Sequence, residues 1–155
     1  QIFFVATGGF DSHDDQAQDQ PGLLANVSAC LDAFYRATVE MGIAQNVTAF
    51  TQSDFGRTLT SNGDGTDHAW GGVQLVVGGA VHGKSVYGSY PVLRLGATLA
   101  ADGADDVGGG RFIPTTSSDQ YAATLARWFG VLDADLARIA PGIDNFTQRD
   151  LGFMS

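Results

Sequence analysis

Residues 2 to 6, IFFVA, form a continuous apolar run of β-formers. Such a run predicts a short strand buried on both faces, as in a parallel or mixed sheet covered by helices. The pattern then changes period. Between Pro21 and Gly42, apolar side chains recur at three- and four-residue spacings: Leu24, Val27, Leu31, Phe34 and, further on, Met41. That spacing predicts an amphipathic helix, with Pro21 in its first turn and Gly42 just past its end. Residues 46 to 56, NVTAFTQSDFG, predict a second buried strand running into a polar loop. Strand, helix and strand together predict a βαβ unit with a right-handed crossover.

Residues 56 to 72, GRTLTSNGDGTDHAWGG, show no clear period and are dense in small polar residues, which predicts a long functional loop. VQLVVGGAV, 73 to 81, predicts another buried strand, and HGKSVYG a turn with a short extended piece. Residues 96 to 111 predict a surface excursion. In TTSSDQYAATLARWFG a Ser or Thr at 116 to 118 can cap a helix with Tyr121, Leu125, Trp128 and Phe129 on its apolar face and Gly130 as its stop. DADLARIA predicts a last short helix, ended by Pro141. There is no internal repeat and no composition break marking a domain boundary. The fold class expected is a layered α/β/α arrangement around a mostly parallel sheet.

Composition narrows the partners. The chain has 155 residues, 44% hydrophobic and 16% charged, enough for a core and unlike a disordered chain. Its 21 glycines imply many tight turns. A net charge of −9 repels phosphate backbones and anionic lipid, which argues against nucleic acid and membrane surfaces as partners. No apolar run is long enough to span a bilayer, and no basic stretch followed by an apolar one marks a signal peptide. The chain opens on Gln1, so a removed leader or a longer parent protein is expected. The single Cys30 sits among helical neighbours, where a small buried apolar role is expected.

The candidate chemistry lies where strands are predicted to end. After the first comes GGFDSHDDQ, after the second a loop with Asp54, and the long loop carries Asp67 and His68. Beyond the carboxyl ends of neighbouring parallel strands is where open α/β sheets hold ligands. Neutral imidazole and ionised carboxylate suit zinc, manganese and related divalent ions. Asp11, His13, Asp54, Asp67 and His68 therefore form the candidate ligand set, and Arg57 could either contact an anionic group or pair with a nearby aspartate. Aspartates at strand ends also serve as caps and turn formers, which is the competing reading. Asn62, Asp64, Thr66 and Asp67 imitate part of a calcium loop, but the acid needed at its twelfth position is absent. His82, beside Gly83, reads as a solvated histidine. Asn26, Asn46 and Asn145 begin glycosylation sequons, attributed to chance.

Several stretches together are familiar: FFVATGGFDSH, FTQSDFGRTLTSNGDGTDHAWGG, VVGGAVHGKSVYG, RFIPTTSSDQYAATLARWFG and the later NF. Over nearly the whole chain they resemble an exported bacterial family, domain of unknown function fifteen-oh-one, placed with alkaline phosphatases and sulfatases. The resemblance implies the C-terminal half of a larger protein with a twin-arginine leader, acting in the periplasm or outside the cell. It implies a metal-dependent hydrolase of phosphate or sulfate esters using zinc, manganese or calcium. Asp11 and His13 would supply the first ligand pair, Asp54 the acid of a second, and His68 the last histidine. The chain departs from that pattern at Phe55, where a histidine is common, so the second metal site is weakened or rebuilt. No nucleophile is identifiable, and Thr7 is not nominated. The alternative is an exported binding or assembly module that keeps the fold without catalysis. Either way, half a sheet would expose an edge and an apolar face for the missing segment or a second chain to cover.

Overall fold

A computed structural model describes residues 1–95 and 105–155. Its elements, in chain order, are helix α1 (Gln16–Glu40), strands β1 (Thr48–Phe50), β2 (Gly56–Ser61), β3 (Thr66–Ala69) and β4 (Val76–Gly78), then helices α2 (Ser118–Trp128) and α3 (Leu136–Ile139). The strands make two separate ladders, β1 with β4 and β2 with β3, and both are antiparallel.

This overturns the layered α/β/α expectation and the alkaline-phosphatase-like half-sheet with it. The described residues contain one long helix and two small two-stranded sheets, with no parallel pair. The IFFVA run is not a strand. Residues 1 to 12 carry no regular structure, and Ile2, Phe3, Phe4 and Val5 are 79 to 91% exposed. An apolar run becomes a buried strand only if neighbours take up its N–H and C=O groups, and nothing in the run itself supplies them. β1 forms where the second strand is expected, but it pairs antiparallel with β4, and the described residues contain no βαβ crossover.

α1 starts five residues before Pro21, which lies inside the helix. Gly42 does take the left-handed conformation just past the end, at φ 71°. The side of α1 turned toward protein holds Leu23, Val27, Leu31, Tyr35 and the buried Thr38. Leu24, Phe34 and Met41, expected inside, are about half exposed or more. Cys30 is exposed as well, near Asn26 Oδ1 at 3.8 Å, and is not the buried apolar residue expected.

The expected long loop is instead a hairpin. β2 and β3 pair with Gly56 opposite Ala69, Arg57 opposite His68 and Ser61 opposite Thr66. The link Asn62–Gly65 closes through Asn62 N–H to Gly65 O (3.0 Å) and Gly65 N–H to Asn62 Oδ1 (2.9 Å). Of the excursion expected over 96–111, residues 96–104 lie outside the described residues. Residues 105–111 fold back so that Asp106 bridges Phe112, and Gly110 O accepts from Leu59 N–H of β2 at 2.9 Å.

α2 follows the sequence closely. Ser117 caps it, accepting from Asp119 N–H at 3.1 Å, while Gln120 Oε1 accepts from Ser117 N–H at 3.0 Å, a complete capping box. Of the apolar face expected, Leu125 is buried but Phe129 is half exposed. The small core gathers Ala123 and Ala126 of α2 with Leu136, Ala140 and Ile143. Tyr121 joins this unit to the rest, donating to Thr51 O at 3.2 Å and packing edge-on against Phe50. Accessible area totals 10,172 Å², whereas a compact monomer of this mass exposes about 7,500 Å². No described helix is long and apolar enough to cross a membrane.

Candidate metal centre

Three segments meet at one end of the hairpin. Residues 10 to 15 lie across it, β2 contributes Arg57 and β3 contributes Asp67 and His68. The crossing is close because Gly65 has no side chain: a Cβ there would sit 2.3 Å from His13 O. Asn62 Nδ2 holds the same carbonyl at 3.2 Å. Downstream, Asp15 turns the chain at φ 50°, and α1 begins. Gln16 N–H then donates to Asp64 O (3.3 Å), and Thr66 Oγ1 donates to Gln16 Oε1 (2.7 Å).

The result is a converging set. Asp11 Oδ1 lies 2.7 Å from His68 Nε2 and 3.1 Å from His13 Nε2. One ligand atom from each of Asp11, His13 and His68 can be chosen so that all three lie within 4.8 Å of one another. The imidazoles stack at 5.0 Å between centroids with 27° between planes. The other nitrogen of His13, Nδ1, faces Asp67 Oδ1 at 3.5 Å. All four side chains are substantially exposed.

Arg57 closes the set from beneath. Its Nη1 donates to Thr66 O (2.6 Å) and its Nη2 to Phe10 O (2.5 Å), tying the crossing segment to β3. Nη2 is also 3.7 Å from Asp11 Oδ1. The hydrogen bond from His68 holds the Asp11 carboxyl below its usual pKa. Desolvation opposes it, second in size to that hydrogen bond, and the neighbouring His68, His13 and Arg57 each add a smaller lowering.

Asp54 does not join the cluster. It is exposed in the turn before β2 and makes no hydrogen bond or ion pair among the described residues. Its neighbour Phe55 is there instead, its ring stacked on His68 at 3.8 Å with 6° between planes. Sequence reading saw in Phe55 only a missing ligand. Its period-two relation to Arg57, and Arg57's pairing with His68, show the connection once the hairpin is recognised. His82 lies apart, its Nδ1 3.2 Å from Gly152 O.

A small chain of helices and two antiparallel strand pairs, with a carboxylate and two imidazoles gathered where its N-terminal segment crosses the β2–β3 hairpin, is the class that fold and site define. The model of the family described as protein of unknown function (DUF1501) matches residues 1–139, and the chain belongs to that family. No curated protein and no solved structure matches it.

Proposed function

We propose that this chain binds one divalent cation through Asp11, His13 and His68, and that the site serves hydrolysis of phosphate or sulfate esters. The observation that carries the reading is the convergence of both Nε2 atoms on Asp11 Oδ1. Tetrahedral zinc, with bonds of about 2.0–2.2 Å, needs donor atoms roughly 3.3–3.6 Å apart. The distances of 2.7 and 3.1 Å are a few tenths of an ångström shorter, so these donors would need to spread only slightly to share an ion. The Asp67 carboxylate behind His13 Nδ1 supports the reading further, because ligating histidines commonly donate their second N–H to such a group.

Three protein ligands leave a coordination position open, the pattern of catalytic zinc sites, where the ion supplies a bound water of lowered pKa. Asp11, His13 and His68 would hold the ion. Asp67 would orient His13. Arg57 keeps the crossing segment in place, and its guanidinium adds positive charge beside the spot where an anionic ester would lie. Asp54 has no part in this centre. Zinc and manganese fit the mixed nitrogen and oxygen donors better than calcium, which prefers oxygen alone. Export, which the family resemblance implies, belongs to the same proposal.

Zinc and manganese titrations of the purified chain should show about one ion bound per chain, and His68→Ala should lose it. Aryl phosphates and aryl sulfates with added metal test the hydrolytic half. Turnover abolished by chelator supports it, and metal binding with no turnover on either class refutes that half alone.

The excess of exposed surface favours a second reading, a binding or assembly module whose apolar N-terminal run and outward α1 side chains are covered by further polypeptide. Sedimentation of the chain in solution tests it.

A further inference from the structure

The two histidines of the cluster are held in different ways. His13 has Asp67 behind its Nδ1. His68 has no hydrogen-bond partner at its Nδ1 among the described residues. Phe55 lies face to face with its ring at 3.8 Å and 6°, nearer and more nearly parallel than His13 at 5.0 Å and 27°.

We propose that Phe55 is a positioning residue for His68, aiming Nε2 at the point shared with Asp11 and His13. This rests on the metal-binding reading of that cluster. The hairpin explains how Phe55 comes to be there. Arg57 and His68 sit opposite each other across the ladder, and Phe55, two residues before Arg57, falls on the same side. The Arg57 guanidinium carbon lies 5.2 Å from the Phe55 ring centroid, so the phenyl ring is held by a cation as well as by the imidazole. Ser53 Oγ, donating to Phe55 O at 2.8 Å, secures the turn that presents it. A rotation of the imidazole about its χ2 bond would carry Nε2 off Asp11, and the parallel phenyl face opposes that rotation. Aromatic stacking thus replaces the outer hydrogen bond that a ligating histidine usually makes.

Leucine fills nearly the same volume as phenylalanine but offers no planar face, and tyrosine keeps the face. Zinc and cobalt dissociation constants of the full chain, measured by chelator competition for wild type, Phe55→Leu, Phe55→Tyr and His68→Ala, separate the possibilities. Phe55→Leu is expected to weaken binding about tenfold or more, the scale of losses behind metal ligands, and Phe55→Tyr to restore it. Without metal, the His68 ring-proton resonances should be shifted by the phenyl ring current in wild type and Phe55→Tyr but not in Phe55→Leu. The proposal is overturned if Phe55→Leu binds metal like wild type while His68→Ala does not, if Phe55→Tyr fails to restore binding, or if the ring-current shift is absent. Wild type binding no metal overturns both this proposal and the reading beneath it, and is distinguishable from the other outcomes.

Discussion

Replacing Gly65 by alanine should weaken metal binding at the candidate centre without replacing a ligand. The added Cβ would meet His13 O at 2.3 Å and the His13 carbonyl carbon at 2.5 Å, both backbone atoms. Relief to the shortest separation real Cβ atoms tolerate, 3.0 Å, lifts the crossing segment by about 0.7 Å. Metal–ligand distances tolerate only about 0.2 Å. His13 therefore leaves ligating range unless the whole segment re-forms, and the 3.2 Å hydrogen bond from Asn62 Nδ2 is strained with it. Metal affinity should fall by roughly tenfold to a hundredfold, and overpacking should cost about 1–3 kcal/mol of local stability. Gly65 is not in the left-handed region, so the effect comes from space and not from backbone conformation. Gly8→Ala, with no atom within 4 Å of its Cβ, is the control and should bind as wild type does. Chelator-competition titration of both variants, alongside thermal unfolding, measures this. Gly65→Ala with undiminished zinc affinity would falsify the claim that contact at this glycine seats His13.

Acid should leave the Asp11 tie intact longer than an ordinary carboxylate would allow. Its native pKa is depressed, so its contribution is present above the unfolded value and lost as pH falls through the lower native one. A carboxyl-carbon NMR titration should show this, and His68→Gln should move the midpoint back up. Tyr121 behaves oppositely. Burial raises its phenol pKa, so its contribution is complete below the unfolded value of about 10 and declines as pH rises beyond it. Thermal melts between about pH 8 and 11 should show an alkaline slope that Tyr121→Phe flattens. Ser117→Ala removes the α2 cap and should cost about 1 kcal/mol in denaturant unfolding; an unchanged midpoint would count against the capping box.

What could be read from the residues was what depends on near neighbours. The α2 cap, the Gly42 stop and the short final helix are set within a few positions by propensity, capping and permitted φ, and they stand where expected. The histidine and carboxylate of GGFDSH and the histidine of TDHA were recognised as a set and do converge. Two misreadings have separate causes. The successive Asn-Gly and Asp-Gly pairs at 62–65 are strong hairpin signals, but the density of small polar residues around them masks the strands on either side and suggests a loop. The composition of IFFVA suggests a sheet, although burial and pairing depend on partners that no local pattern reports. Placing Asp54 in the site followed from that sheet. Without parallel strands nothing brings its carboxylate to the others, and Phe55 reaches His68 instead.

Pro21 separates α1 into two mechanical parts. Having no N–H, it cannot bond the carbonyl of Ala17 four residues earlier, so the ladder is interrupted one turn into a 25-residue helix. The short part before the gap, Gln16 to Gln20, is stitched to the hairpin by Thr66 and Asp64 and braced by the Gln16–Gln20 side-chain bond of 3.0 Å. The long part beyond it touches the segment leading into the site through Leu23, whose side chain lies against Gly9. A missing hydrogen bond is where a helix bends most easily, so any curvature of α1 is expected at Pro21, between the turn tied to the hairpin and the rest of the helix.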